Sequence, residues 1–228
     1  MVNELVDGYL FLQIVMKRFS LLWLIVLLSS ITFASEEANK LAAVMNDANA
    51  SLFAKTLACK QAAQSGTKDS VAVLAPFLAD ETLSHPARIA LERIPDPSAG
   101  AALRESLAKV QGKLLIGILQ SLGERREVDA VKPITSLLDH ADAQTAYAAA
   151  VALGKIGSPD ALTALQTAFK KTMPDRKPLY VDGLYGCAES SNAAQSVTAP
   201  SLAQERSELR SASKAFRYSG LTRLLVKR

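Results

Sequence analysis

The sequence predicts an all-α protein, a right-handed α-solenoid of stacked antiparallel helix pairs. Three observations carry this expectation. Apolar anchors recur about every thirty residues, at Leu74, Leu103, Ile134 and Leu165, with spacings of 29, 31 and 31. Aromatics make up only 6% of the 228 residues, while alanine runs such as AYAAAVALG (146–154) are frequent. Alanine favours helix, and its small side chain lets helices approach closely. No stretch shows the sustained apolar–polar alternation of a half-buried strand.

Taken in order, residues 16–34 read as a signal peptide. Lys17 and Arg18 form a short positive region, Leu21 to Leu28 is an unbroken apolar run, and Thr32-Phe33-Ala34 fits cleavage after Ala34. The expected location is therefore periplasmic or secreted, with no membrane contact for the mature chain. The alternative is an inner-membrane anchor through residues 19–33, although the apolar run is short of the ~20 residues a spanning helix needs. The preceding MVNELVDGYLFLQIV (1–15) carries Glu4 and Asp7, which do not suit a leader, and Met16 is the expected start. Residues 35–48 place Leu41, Val44 and Met45 at helical spacing and read as an N-terminal capping helix.

From 49 to 189 the chain reads as a repeat array of four full units and a partial fifth. In LGKIGSPDALTAL (153–165), Gly157 is suited to end one helix in the left-handed conformation. Ser158 is placed to cap the next helix, Pro159 to fill its first position, and Asp160 to face its dipole. LERIPDPSAGAAL (91–103) repeats the pattern, and Gly66 and Gly123 stand where Gly157 stands in two further copies. A second anchor follows each first one by four residues, at Leu78, Leu107, Leu138 and Phe169, on the same helix face. The helix before each turn shows the matching stripe: Leu91 and Ile94, Leu119 and Leu122, Leu153 and Ile156, then Leu184 and Cys187. One helix pair cannot bury such a stripe alone, whereas stacked pairs bury a continuous core.

The unit G-x-x-[DE]-A-[VL]-x-x-L after an alanine-rich helix resembles the short HEAT-like repeat first named from phycobilisome lyases. The stretch ALERIPDPSAGAALRESLAKVQGKLLIGILQSLGERREVDAV (90–131) is similar to the version in exported bacterial HEAT-repeat proteins. The resemblance covers roughly 49–189. It implies an armadillo-like superhelix and a scaffold or protein-binding role, and it implies little about substrate.

The side chains that carry chemistry are sparse. His85 and His140 have no second His or Cys at ligand spacing and read as solvated loop residues, so no metal is expected. Cys59 and Cys187 lie on apolar stripes four units apart. Helix packing of about 8–10 Å per step keeps them too distant for a disulfide, so none is expected. Asp80 and Glu81, and Glu124 with Glu127, read as solvated loop charges. Glu92 and Arg93 sit late in a first helix, where Arg93 is placed to bond the last carbonyls. No G-x-S-x-G, H-E-x-x-H or Gly-rich phosphate loop is present. Neither a catalytic residue nor a cofactor is expected.

Residues 190–228 break the pattern. They carry seven basic and two acidic residues, which leaves the array itself close to neutral. A clustered basic face on the array is therefore lacking, and nucleic acid is not an expected partner. The segment reads as a poorly ordered or frameshifted basic, serine- and arginine-rich tail. The leading expectation is a non-catalytic exported scaffold that binds a protein on a concave surface lined by second helices. The alternatives are an accessory domain of an exported carbohydrate-active or redox enzyme system and, further off, a lyase or isomerase acting on a chromophore, which needs a reactive Cys or a polar pocket and which Cys59 on a buried helix face fits poorly.

Overall fold

The computed structural model describes residues 36–190, and among these residues every regular element is helical. The signal segment, the residue 19–33 anchor, Ala34, residues 1–15 and the tail from 191 onward lie outside the described residues. Helix α1 covers 36–46 and buries Ala38, Leu41 and Met45. The first helices of successive units are α2 (Leu52–Ser65), α4 (Ser84–Arg93), α6 (Gly112–Glu124), α8 (Ala143–Ile156) and α10 (Pro178–Ser190). Their partners are α3 (Lys68–Leu74), α5 (Pro97–Ser106), α7 (Val131–Thr135) and α9 (Pro159–Lys171). Each first helix packs on the next, and α4 and α8 also touch their own second helices, α5 and α9, as a solenoid requires. No helix among the described residues is long and apolar enough to cross a membrane.

The anchors hold the core. Leu74, Leu103, Ile134 and Leu165 are completely buried, as are Leu91, Leu119, Leu122 and Leu153. Leu78 and Leu138 are buried too, whereas Leu107 and Phe169 are only half-buried against the core. The alanines act as the composition suggests. Ala146, Ala149, Ala150 and Ala152 bring the backbone of α8 close to its neighbours. Against α10 the approach becomes backbone to backbone. A side-chain carbon at Gly154 would lie 2.5 Å from the Gly183 carbonyl oxygen, so only glycine fits.

The hairpin at residues 157–160 forms as its sequence implies. Gly157 takes φ 66, the Ser158 hydroxyl accepts from the Ala161 amide at 3.2 Å, and Pro159 opens α9. The other copies solve the turn differently. Gly66 is extended at φ −66, and Gly123 lies inside α6 rather than after it. In that third copy the left-handed residue is Arg126, at φ 51. The expected uniform hairpin is thus one reversal built in several ways.

Two second helices are also shorter than their periodicity suggests. Proline lacks an amide proton and cannot donate the α-helical bond. At Pro76 the backbone continues from α3 as a 3-10 segment, Ala75–Ala79, and Pro133 stands in the five-residue α7 after the 3-10 turn Val128–Ala130.

Candidate functional site

The residues singled out from the sequence do not converge. His140 sits in the loop before α8, where its Nδ1 accepts from the Asp142 amide at 3.1 Å. His85 is exposed but lies in the first turn of α4, not in a loop, and its ring nitrogen accepts from Arg88 at 3.2 Å. Asp80 is an exposed turn-former whose Oδ1 accepts from the Thr82 and Leu83 amides, and Glu81 is exposed. No group of three or more potential metal ligands occurs among the described residues.

Two carboxylates depart from the solvated-loop expectation. Glu127 is mostly buried and accepts from Arg104 Nη1 at 2.5 Å, because the loop folds back onto α5. Glu124 ends α6 and pairs with Lys155 of α8 on the surface. Arg93 is exposed, and the carbonyls at the end of α4 are capped instead by Arg125 from the next unit. Its Nη1 donates to Leu91 O and Ile94 O, each at 2.6 Å. Arg125 is better placed than Arg93 because it reaches along the axis of α4 from outside, whereas a side chain within the last turn points back along its own helix.

Both thiols are buried. The Cys59 thiol donates to the Met45 sulfur at 3.7 Å, and Cys187 to Leu153 O at 3.4 Å. Burial pushes each thiol up to about 11. A nucleophilic cysteine needs the reverse, a thiolate favoured near neutral pH.

The feature that the sequence search missed is a groove of about 490 Å³ on the outer face of the first-helix layer. Its floor is Ile116 of α6, Ala148, Val151 and Ala152 of α8, and Leu179 of α10. The small side chains on α8 recess the floor, and bulkier neighbours form the walls. Gln120 and Gln144 supply amides at the rim. Tyr147 projects from α8 and is 40% exposed, with its hydroxyl donating to Asp182 Oδ2 at 2.6 Å. That bond, with partial burial, pushes the phenol up to about 12, so it stays a neutral donor. Lys155, bonded to Glu124, marks the opposite end. The groove offers apolar contact with a few polar groups at its edge, and no nucleophile, base or metal ligand set.

Much of the apolar surface outside this groove lies on the same layer. Leu52, Phe53 and Leu57 on α2 and Ile89 on α4 are exposed, and the other large exposed apolar side chains are Val128, in the turn before α7, and Met173, after α9. Apolar residues concentrated in one layer mark a surface built for contact. The signal for it was present in the sequence, as Phe53 and Leu57 lie opposite the buried stripe of α2, but a stripe-by-stripe reading assigns all apolar positions to the core.

No curated protein matches the chain. Residues 111–177 match the protein family described as HEAT repeats. The matched stretch runs through α6, α7, α8 and α9 and stops where α10 begins. Stacked helix pairs, a shared apolar core and this match together support a HEAT-repeat protein, an α-solenoid of the kind that serves as a scaffold or interaction module.

Proposed function

We propose that this chain is a non-catalytic, exported scaffold that holds a protein partner in the groove over α6, α8 and α10. The observation that supports the reading best is the groove itself: apolar, recessed by alanines, and framed by helices in close contact. A groove of this kind receives an apolar side-chain row from a partner helix or segment. The exposed apolar residues on α2 and α4 favour the first-helix layer over the second-helix surface as the docking face. Export rests on the sequence of residues 16–34. The suppressed Cys59 thiol argues against chemistry on a chromophore.

The test is site-directed photo-crosslinking in the full chain. A benzophenone side chain at Gln120, on the groove rim, should yield a discrete protein adduct from the exported fraction. The same group at Thr167, exposed on α9, should yield none. Adducts from Thr167 alone would return the partner to the second-helix face. No adduct from either position would remove the protein-scaffold reading.

A further inference from the structure

The first helices do not all meet in the same way. α6 meets α8, and α8 meets α10, through alanine and glycine. Gly123 sits against Ala152, and Gly154 against Gly183. α4 meets α6 through a buried guanidinium. Arg88, only 9% exposed, donates from Nη1 to Gly117 O at 2.8 Å and to Ser121 Oγ at 2.9 Å. The Ser121 hydroxyl donates onward to Glu92 Oε1 at 2.7 Å, back across the same joint. Gly117 is the seat of the guanidinium, as a side-chain carbon there would lie 2.7 Å from Arg88 Cζ. Further polar contacts cross this boundary, Arg125 on the carbonyls of α4 and Arg104 on Glu127, beside the apolar core that α4 and α6 share. The contact between α4 and α6 is the sparsest among neighbouring first helices of the described residues.

From this we propose that the α4–α6 joint is the hinge of the array, dividing it into an N-terminal block (36–110) and a C-terminal block (111–190) that move as units.

The physical reason is the cost of opening. Separating two apolar helix faces exposes surface that water solvates poorly. Separating hydrogen-bonded polar groups exchanges each bond for one to water, at small net cost. Buried ionic contacts in particular give little net stability because closing them strips their water. Here the closed state gains still less, since the buried Arg88 Nε has no partner. The joint with the sparsest contact and a polar network in place of part of its apolar packing is therefore the cheapest place for the array to open. The covalent link is suited to the motion as well. The chain crosses at Gly112, which holds φ +54 with nothing within 4 Å of where a side chain would start.

The consequence is a division of labour. The groove lies wholly in the C-terminal block and keeps its shape as the hinge moves. The exposed Phe53, Leu57 and Ile89 ride on the N-terminal block, so bending changes their distance from the groove.

Single-molecule energy transfer on the full chain tests this. The native thiols are buried, so dyes go to engineered surface cysteines. One pair, Gln64→Cys with Gln144→Cys, spans the joint. The other, Lys113→Cys with Lys170→Cys, lies within the C-terminal block. In urea below the unfolding midpoint, the spanning pair should exchange between two efficiencies while the internal pair keeps one. Gly117→Ala, which displaces the guanidinium, should raise the open population roughly tenfold without moving the internal pair. Ser121→Ala should act in the same direction more weakly, and stands in if Gly117→Ala does not fold. A spanning pair that stays at one efficiency until the internal pair is lost with it, in both variants, overturns the hinge.

Discussion

Gly183→Ala sets two effects of opposite sign against each other. Alanine is a better helix former than glycine by up to about 1 kcal/mol in a helix interior, so α10 taken alone should gain. The packing opposes this. The new methyl would lie 2.2 Å from the Ala150 carbonyl oxygen and 2.7 Å from its carbon, both backbone atoms of α8. Ordinary contact needs about 1 Å more, and neither helix can yield by turning a side chain. α10 must slide or lift, and the close contact around Tyr180, Val181 and Cys187 loosens with it. Overpacking of this kind costs about 1–3 kcal/mol, or more where backbone is the obstacle. The clash therefore outweighs the propensity gain, with an expected net loss of about 1–2 kcal/mol. For a chain of this size the melting temperature should fall by about 2–8 °C. Thermal melting followed by far-UV circular dichroism reads the shift, and amide exchange should locate it in 178–190. A variant as stable as the parent, or more stable, would refute a backbone contact between α8 and α10. Gly154→Ala makes the reciprocal test, and the two together should be non-additive because they strain one joint.

Arg125→Ala should lose about 2–3 kcal/mol in urea unfolding, since it removes a charged donor and leaves the carbonyls of α4 without it. Arg125→Lys should recover only part of that loss, as an ammonium cannot reproduce the fork that reaches both Leu91 and Ile94. Gly157→Ala should cost about 1–2 kcal/mol from the left-handed backbone, and Gly157→Asn less. Cys59 and Cys187 should resist iodoacetamide in the folded chain and react once it is unfolded. Because burial raises both thiols to about 11, their contribution to stability is complete below pH 9 and fades as the pH climbs towards 11. Rapid alkylation of native Cys59 would restore the reactive-thiol reading.

Much of the architecture was legible because it is written in repetition. The anchors at thirty-residue spacing, the stripe of each first helix and the Gly157 hairpin all follow from period and local chemistry. What stayed hidden depends on distances between units. Arg88 occupies a stripe position, but a charged residue there reads as an interruption until Gly117 supplies the space for it. Glu127 looked like a solvated loop charge because Arg104, its partner, lies 23 positions earlier in another unit. Gly66 and Gly123 matched Gly157 in alignment only. A glycine can mark a left-handed turn, an extended exit or a close helix contact, and sequence position alone does not separate these uses. The groove escaped for a related reason. Alanine reads as helix propensity, while a recess made of alanines exists only between neighbouring helices.

The capping of α4 has a bearing on how the chain comes into being. Arg125 lies 34 positions after Leu91, whose carbonyl it holds. When α4 first leaves the ribosome, the residue that closes its end has not yet been delivered. The second unit is thus left with an unfinished edge until the third arrives. A nascent chain that has emerged only to shortly after residue 106 should present that edge to chaperones, and one that has emerged well past residue 126 should not. Maturation of the array would then run one unit behind synthesis.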